Sequence, residues 1–178
     1  MTNNVIRIAG LMMGFGAATV ACDAQASDPF SFQVGVASQY MGKGVGKSNE
    51  EPSVSGSVEV THNGFYASLF GATAELSQGS DAEILTTVGY RTTVAGTGLD
   101  FAVINRDLPG TRPGVDANYT EYQADLSRKI GPVSTRFRVN YTADGFAATQ
   151  EAWWIELQGG VALDANTRAT AAIAERTA

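Results

Sequence analysis

The amino-acid sequence predicts an all-β protein, an antiparallel transmembrane β-barrel, and three observations support this fold class. Beyond residue 28, apolar and polar side chains alternate with a period of two, as they do in strands with one apolar and one polar face. Several of these runs reach about 10 residues, the length that a tilted strand needs to cross a bilayer. Long and short connections alternate between the runs, as in outer-membrane barrels with long outer loops and short periplasmic turns.

Residues 1–26 have the features of a cleaved secretory signal peptide. Arg7 supplies the positive start, residues 8–21 are uncharged, and Ala24-Gln25-Ala26 offers the small residues of a cleavage site. Cleavage there would leave residues 27–178 as one domain. Its net charge would stay at −6, because the signal contains one base and one acid.

The composition of the mature chain excludes several classes of function. Cys22 is the single cysteine and leaves with the signal, so disulfides, cysteine metal sites and cysteine nucleophiles are excluded. A loose match around Cys22 to a lipoprotein cleavage box is the alternative for this region. An acidic chain with only three lysines is a poor nucleic-acid binder, since phosphate affinity comes from clustered cations. We expect no cofactor, no metal and no catalytic residues.

Nine runs with the strand period follow the signal. In the first, Phe30, Phe32 and Val34 alternate with polar or small residues. Asn63-Gly64 follows the second run and is a strong hairpin signal, because both residues tolerate positive φ. The five prolines lie outside strand interiors, as a hydrogen-bonded sheet requires. The runs cover residues 30–40, 53–62, 65–74, 82–92, 99–106, 118–128, 133–143, 151–163 and 167–175.

The connections between these runs alternate in length. The contrast is weak at residues 93–98 and clear elsewhere, which places long loops at one end of the sheet and tight turns at the other. The longer connections cover residues 41–52, 75–81, 107–117 and 144–150, and the shorter ones cover 63–64, 93–98, 129–132 and 164–166.

Alternation alone does not separate a membrane barrel from a soluble sandwich, which hides its apolar face. Aromatic residues near the strand ends favour the barrel, because interfacial girdles form there. These residues are Phe30, Tyr40, Phe65, Tyr90, Tyr119, Tyr141 and Trp153.

The polar faces of the predicted strands carry six acids and five bases that would converge on the lumen. In one interpretation they line a water-filled pore and tune its ion selectivity. In the other, Arg–carboxylate pairs plug a purely structural barrel. The acids are Glu59, Glu83, Asp100, Glu121, Asp125 and Glu156, and the bases are Arg91, Arg106, Arg136, Arg138 and Arg168. We expect all of these except Glu83 and Asp100 to form the main lining, with Lys43 and Lys47 in a loop at the outer mouth.

Two motifs suggest other chemistry and are not supported. Residues 42–48 read G-K-G-V-G-K-S, but a phosphate-binding loop needs Gly five positions before Gly46, where Met41 stands. His62, the single histidine, falls on an apolar strand face beside a tight turn, so we interpret it as interfacial rather than catalytic.

Residues 38–48 read S-Q-Y-M-G-K-G-V-G-K-S and resemble the S-D-Y-x-x-R-G-x-S-x-S signature of the TorF-like porin family of proteobacteria. Residues 62–67 read H-N-G-F-Y-A and are similar to that family's S-H-x-x-G-F-Y-A segment. Three later motifs recur in the same order: Gly89-Tyr90, Leu108-Pro109-Gly110 and residues 118–121. Gln39, Lys43 and Gly46 depart from the signature. The resemblance covers residues 30–163 and implies an outer-membrane barrel with pore activity.

We therefore predict a bacterial outer-membrane porin for passive diffusion of ions or small solutes, with membrane lipid as its surroundings and no enzymatic activity. The alternative is a non-conducting barrel that braces the envelope or binds a partner. Bacterial single-chain barrels have an even number of strands, and nine are visible. We therefore expect that the chain is incomplete at its C-terminus. The complete barrel would then have about 10 to 12 strands.

Overall fold

The computed structural model describes residues 18–20, 29–147, 150–164 and 167–177. Apart from a three-residue strand, the predicted signal peptide and its cleavage site lie outside the described residues. The strands are β1 Ala18–Val20, β2 Phe30–Ala37, β3 Met41–Gly42, β4 Val45–Gly46, β5 Ser53–His62, β6 Phe65–Thr73, β7 Ala82–Val94, β8 Thr97–Asp107, β9 Tyr119–Ile130, β10 Val133–Thr142, β11 Ala152–Ala162 and β12 Arg168–Thr177.

All nine predicted strands are present, and they form one antiparallel sheet. The strand order is β1-β2-β5-β6-β7-β8-β9-β10-β11-β12, so strands that follow one another along the chain also pair in the sheet, apart from the small β3–β4 hairpin. β1 pairs with β2 at one edge and β12 lies at the other, so the described sheet is not closed into a barrel. The only helical element in the described residues is a 3-10 turn at Ser77–Gly79, and no helix there is long and apolar enough to span a membrane.

The tight turns explain one of the differences between the predicted and the observed strand ends. Asn63 and Gly64 adopt φ of 50° and 86°, which confirms the predicted hairpin turn. The expected six-residue connection at 93–98 is instead a two-residue turn in which Ala95 and Gly96 have φ of 49° and 76°. Alanine rarely adopts positive φ, so its presence in the sequence does not predict a turn at this position.

The chain forms two compact units. The first consists of Met1–His62, Ala67–Thr86 and Asp107–Val115. Its apolar cluster contains Tyr40, Ala72 and Ala74, with Phe70 and Leu76 packed against them. The predicted long loop after β2 folds into the β3–β4 hairpin, in which Lys43 and Gly44 both have positive φ.

The second unit consists of Asn63–Tyr66, Thr87–Arg106 and Asp116–Ala178. In this unit residues 122–130 of β9 pair with β10, and β10 pairs with β11 over its full length, with Asp125 opposite Arg138 and Arg138 opposite Glu156. Because successive residues of a strand point to opposite faces, this register places the charged side chains of neighbouring strands on one face. The apolar side chains lie on the other face.

Candidate functional site

In the second unit many apolar side chains are exposed and several charged ones are buried, which is the reverse of the pattern in a soluble protein. On the apolar face, Phe101, Tyr122 and Leu157 are 52%, 53% and 54% exposed. On the opposite face, the charged residues Glu121 and Glu156 are only 4% and 3% exposed. Soluble proteins bury apolar side chains and rarely bury charged ones without a partner. The buried charges in this unit therefore require partners on their own face.

The sequence predicts that the carboxylates on this face border the lumen. In the structure each of them binds an arginine. Arg106 Nε donates to Glu121 Oε2 at 2.7 Å, and both side chains are buried. Arg136 Nη2 lies 2.6 Å from Glu156 Oε1. Arg138 binds Asp125 through two hydrogen bonds, of 2.7 and 2.5 Å. Such bidentate pairs are among the strongest hydrogen bonds in proteins.

The fourth pair of the unit, Arg91 with Asp100, also contacts an aromatic residue, Tyr66. Arg91 Nε donates to Asp100 Oδ2 at 2.9 Å, and the Tyr66 hydroxyl donates to Asp100 Oδ1 at 2.7 Å. The Arg91 guanidinium also lies over the Tyr66 ring, 3.6 Å from its centroid, which is cation–π geometry. Sequence reasoning did not assign Tyr66 to the site, although its place next to Phe65 puts it on the polar face.

Strand register joins three of these pairs into what we call the charged row. Asp100 lies opposite Asp125, Asp125 opposite Arg138, and Arg138 opposite Glu156, across four adjacent strands. Arg91 and Arg136 complete the row through their bonds to Asp100 and Glu156. The row thus contains three carboxylates and three guanidinium groups on the polar face.

The first unit has a separate buried cluster around Glu83, which is 1% exposed. Lys47 Nζ lies 2.6 Å from Glu83 Oε1, and the Tyr40 hydroxyl donates a short hydrogen bond to Glu83 Oε2. Ser48 accepts a hydrogen bond from the backbone N–H of Tyr40 and is itself buried. This cluster places Lys47, expected at an outer mouth, against a carboxylate of β7.

The other sequence-predicted lining residues lie elsewhere in their units. Glu59 is half-buried on β5, and Arg168 is exposed at the start of β12. The Arg168 guanidinium passes over Gly160, since a Cβ on that glycine would meet Arg168 Nη2 at 2.6 Å. Lys43 lies in the turn of the β3–β4 hairpin.

Aromatic side chains of the second unit group at two places on the apolar face. Phe65 and Tyr90 lie beside the Asn63-Gly64 turn with ring centroids 4.8 Å apart. Tyr141 lies between Tyr122 and Trp153, at 6.3 and 4.6 Å, where β9, β10 and β11 meet the longer connections. These five residues are among those that line a groove of about 670 Å³.

Comparison with known proteins identifies one family. The model of a family described as "Bacterial protein of unknown function (Gcw_chp)" matches residues 21–177, which is nearly all of the chain. No curated protein matches the sequence.

Proposed function

The chain belongs to the bacterial family Gcw_chp, and from its own geometry we propose that it is an outer-membrane β-barrel that acts as a passive pore for ions or small solutes. The resemblance of residues 38–48 to the TorF-like porin signature supports the same proposal. Under this proposal the polar face of the sheet borders the lumen and the apolar face contacts lipid.

The observation that carries the proposal is the reversal of burial. In the first unit Phe32, Val54 and Leu69 are 44–54% exposed, while Glu83 is buried. The second unit repeats this pattern along four strands. Contiguous apolar surface on this scale marks a face that something other than water covers in the cell. Hydrocarbon is such a cover, because each strand of a membrane barrel has one apolar face in contact with lipid.

Hydrocarbon is favoured over a partner protein by the backbone and by the aromatic residues. Each strand in the interior of the sheet satisfies its backbone hydrogen bonds through its two neighbours, as a membrane interior requires of any segment inside it. The Phe65–Tyr90 pair and the Tyr122–Tyr141–Trp153 group lie near strand ends, where amphipathic rings of barrels meet the lipid headgroups. A protein partner would require neither feature.

A specific observation also favours a second candidate, a non-conducting barrel that braces the envelope. Asp100, Glu121, Asp125 and Glu156 each bind an arginine, and such pairs fill space in the interior of a narrow barrel. The two candidates share the membrane location and differ in whether water passes beside the pairs.

Expression of the full chain with its own signal sequence tests both candidates. If the chain is a pore, it should be recovered in the outer-membrane fraction and should need detergent to stay in solution. It should also migrate faster on SDS gels before heating than after. In planar bilayers it should give steady conductance steps. Folded protein that inserts without conducting would support the bracing barrel. A chain that stays monodisperse in water without detergent would overturn both.

A further inference from the structure

We propose that this pore prefers small anions over cations, and that Arg136 and Arg138 set the preference. The inference rests on the proposed pore function and adds the class of solute. It concerns the charged row, where opposite charges are equal in number but unequal in exposure.

Within every pair of the charged row, the arginine side chain is more exposed than the acidic side chain that it binds. The side chain of Arg138 is 28% exposed and that of Asp125 is 10% exposed. For Arg136 and Glu156 the values are 28% and 4%. Arg91 and Asp100 follow the same order, at 45% and 23%. Water on the polar face therefore reaches a larger fraction of each arginine side chain than of its acidic partner.

This asymmetry decides the field that a passing ion meets. Two charges interact more strongly the closer they are. A buried carboxylate that is already bound by an arginine therefore contributes little to the field that acts on an ion outside the pair. The net charge of −6 and the excess of acids over bases on the polar faces would suggest cation preference. The exposure order of the row predicts the opposite, because the more exposed side chains of its pairs are the positively charged ones.

Arg138 also has donors left for a ligand. Its Nε and Nη2 atoms bind Asp125, and within the described residues no bond uses Nη1. The planar guanidinium matches carboxylate and phosphate oxygens, which ammonium groups contact only as point charges. The row therefore fits chloride, inorganic phosphate and short carboxylates as the solutes that cross most readily.

Reversal potentials of the full chain in planar bilayers under a KCl gradient test the inference. We expect the unaltered protein to favour chloride. Arg138→Gln should lower the chloride-to-potassium permeability ratio about twofold or more, because it uncovers Asp125. Asp125→Asn should raise the ratio, because it frees the guanidinium. Arg138→Lys keeps the charge and should keep the direction of selectivity.

Arg128→Gln is the matched control. Arg128 lies on the same strand as Asp125, three residues along, so it belongs to the opposite face, and it is exposed. The same loss of charge there should leave the ratio unchanged. If Arg138→Gln does not fold, Arg136→Gln and Asp125→Asn provide the two opposite shifts. Conducting channels that favour potassium, or that respond equally to Arg138→Gln and Arg128→Gln, would overturn the inference alone. Silence from folded, inserted protein would defeat the pore proposal and the inference with it.

Discussion

Lys47 and Glu83 form a salt bridge with 2.6 Å between Nζ and Oε1, although 36 positions separate them in the sequence. The Tyr40 hydroxyl donates to the same carboxylate. The backbone N–H of Glu75 donates to the carbonyl of Lys47. These bonds hold the connection between β2 and β5 against the start of β7. Together with the packing of Tyr40 against Phe70, they fix this loop to the sheet.

Replacement of Lys47 by methionine tests the energetic importance of this tether. It would remove a cation that binds the buried Glu83 carboxylate, and breaking a buried pair from one side costs about 3–5 kcal/mol. We expect the free energy of unfolding, measured by urea titration in lipid vesicles, to fall by about this amount. Lys129→Met, at an exposed strand end, should change it by less than about 0.5 kcal/mol. Equal unfolding midpoints for the two variants would show that the bridge is incidental.

Leu157→Arg tests whether lipid covers the apolar face. Leu157 is 54% exposed and lies at the centre of β11. An arginine facing lipid at mid-depth costs about 2–4 kcal/mol, whereas one near the interface costs about 0–1 kcal/mol. Ile130→Arg at the end of β9 is therefore the matched control, since Ile130 is 62% exposed. On a water-covered face neither variant would lose more than about 0.5 kcal/mol in a urea titration, and that result would refute lipid contact.

The two tryptophans report on the two faces separately. Trp153 is 41% exposed on the apolar face, while Trp154 is half-buried on the polar face opposite Asn140. In Trp154→Phe, the fluorescence of Trp153 should be quenched by brominated lipid. In Trp153→Phe, that of Trp154 should respond to aqueous iodide and only weakly to brominated lipid. The reverse result would mean that the faces are assigned the wrong way round.

Gly64→Ala tests the Asn63-Gly64 turn. A Cβ at Gly64 would lie 2.7 Å from the backbone oxygen of Arg91, and φ there is +86°. Gly96 has a similar φ of +76°, but a Cβ at Gly96 would meet no atom within 4 Å. Both variants bear the cost of alanine at positive φ, and Gly64→Ala adds overpacking of about 1–3 kcal/mol. Chemical denaturation of the pair measures that difference, and equal losses would argue against a close approach at Gly64.

Local patterns in the sequence were sufficient to predict the strands. The period of two located all nine, because the side chains of a strand alternate between faces whatever the strand packs against. It also assigned Glu121, Asp125 and Arg138 to one face. Pattern alone missed the role of Tyr66, because its position on the polar face does not show that its hydroxyl binds Asp100, which lies 34 positions away.

The sequence by itself determined which residues are strands, where most turns fall and which side chains share a face, since these depend on spacing along the chain. Only the tertiary structure decided which charges meet. Register between neighbouring strands places Asp125 opposite Arg138, and folding of a loop brings Lys47 to Glu83. Both depend on residues far apart in the chain. The tertiary structure also decided that within each pair of the charged row the acid is buried more deeply than the base, because exposure depends on everything packed around a side chain.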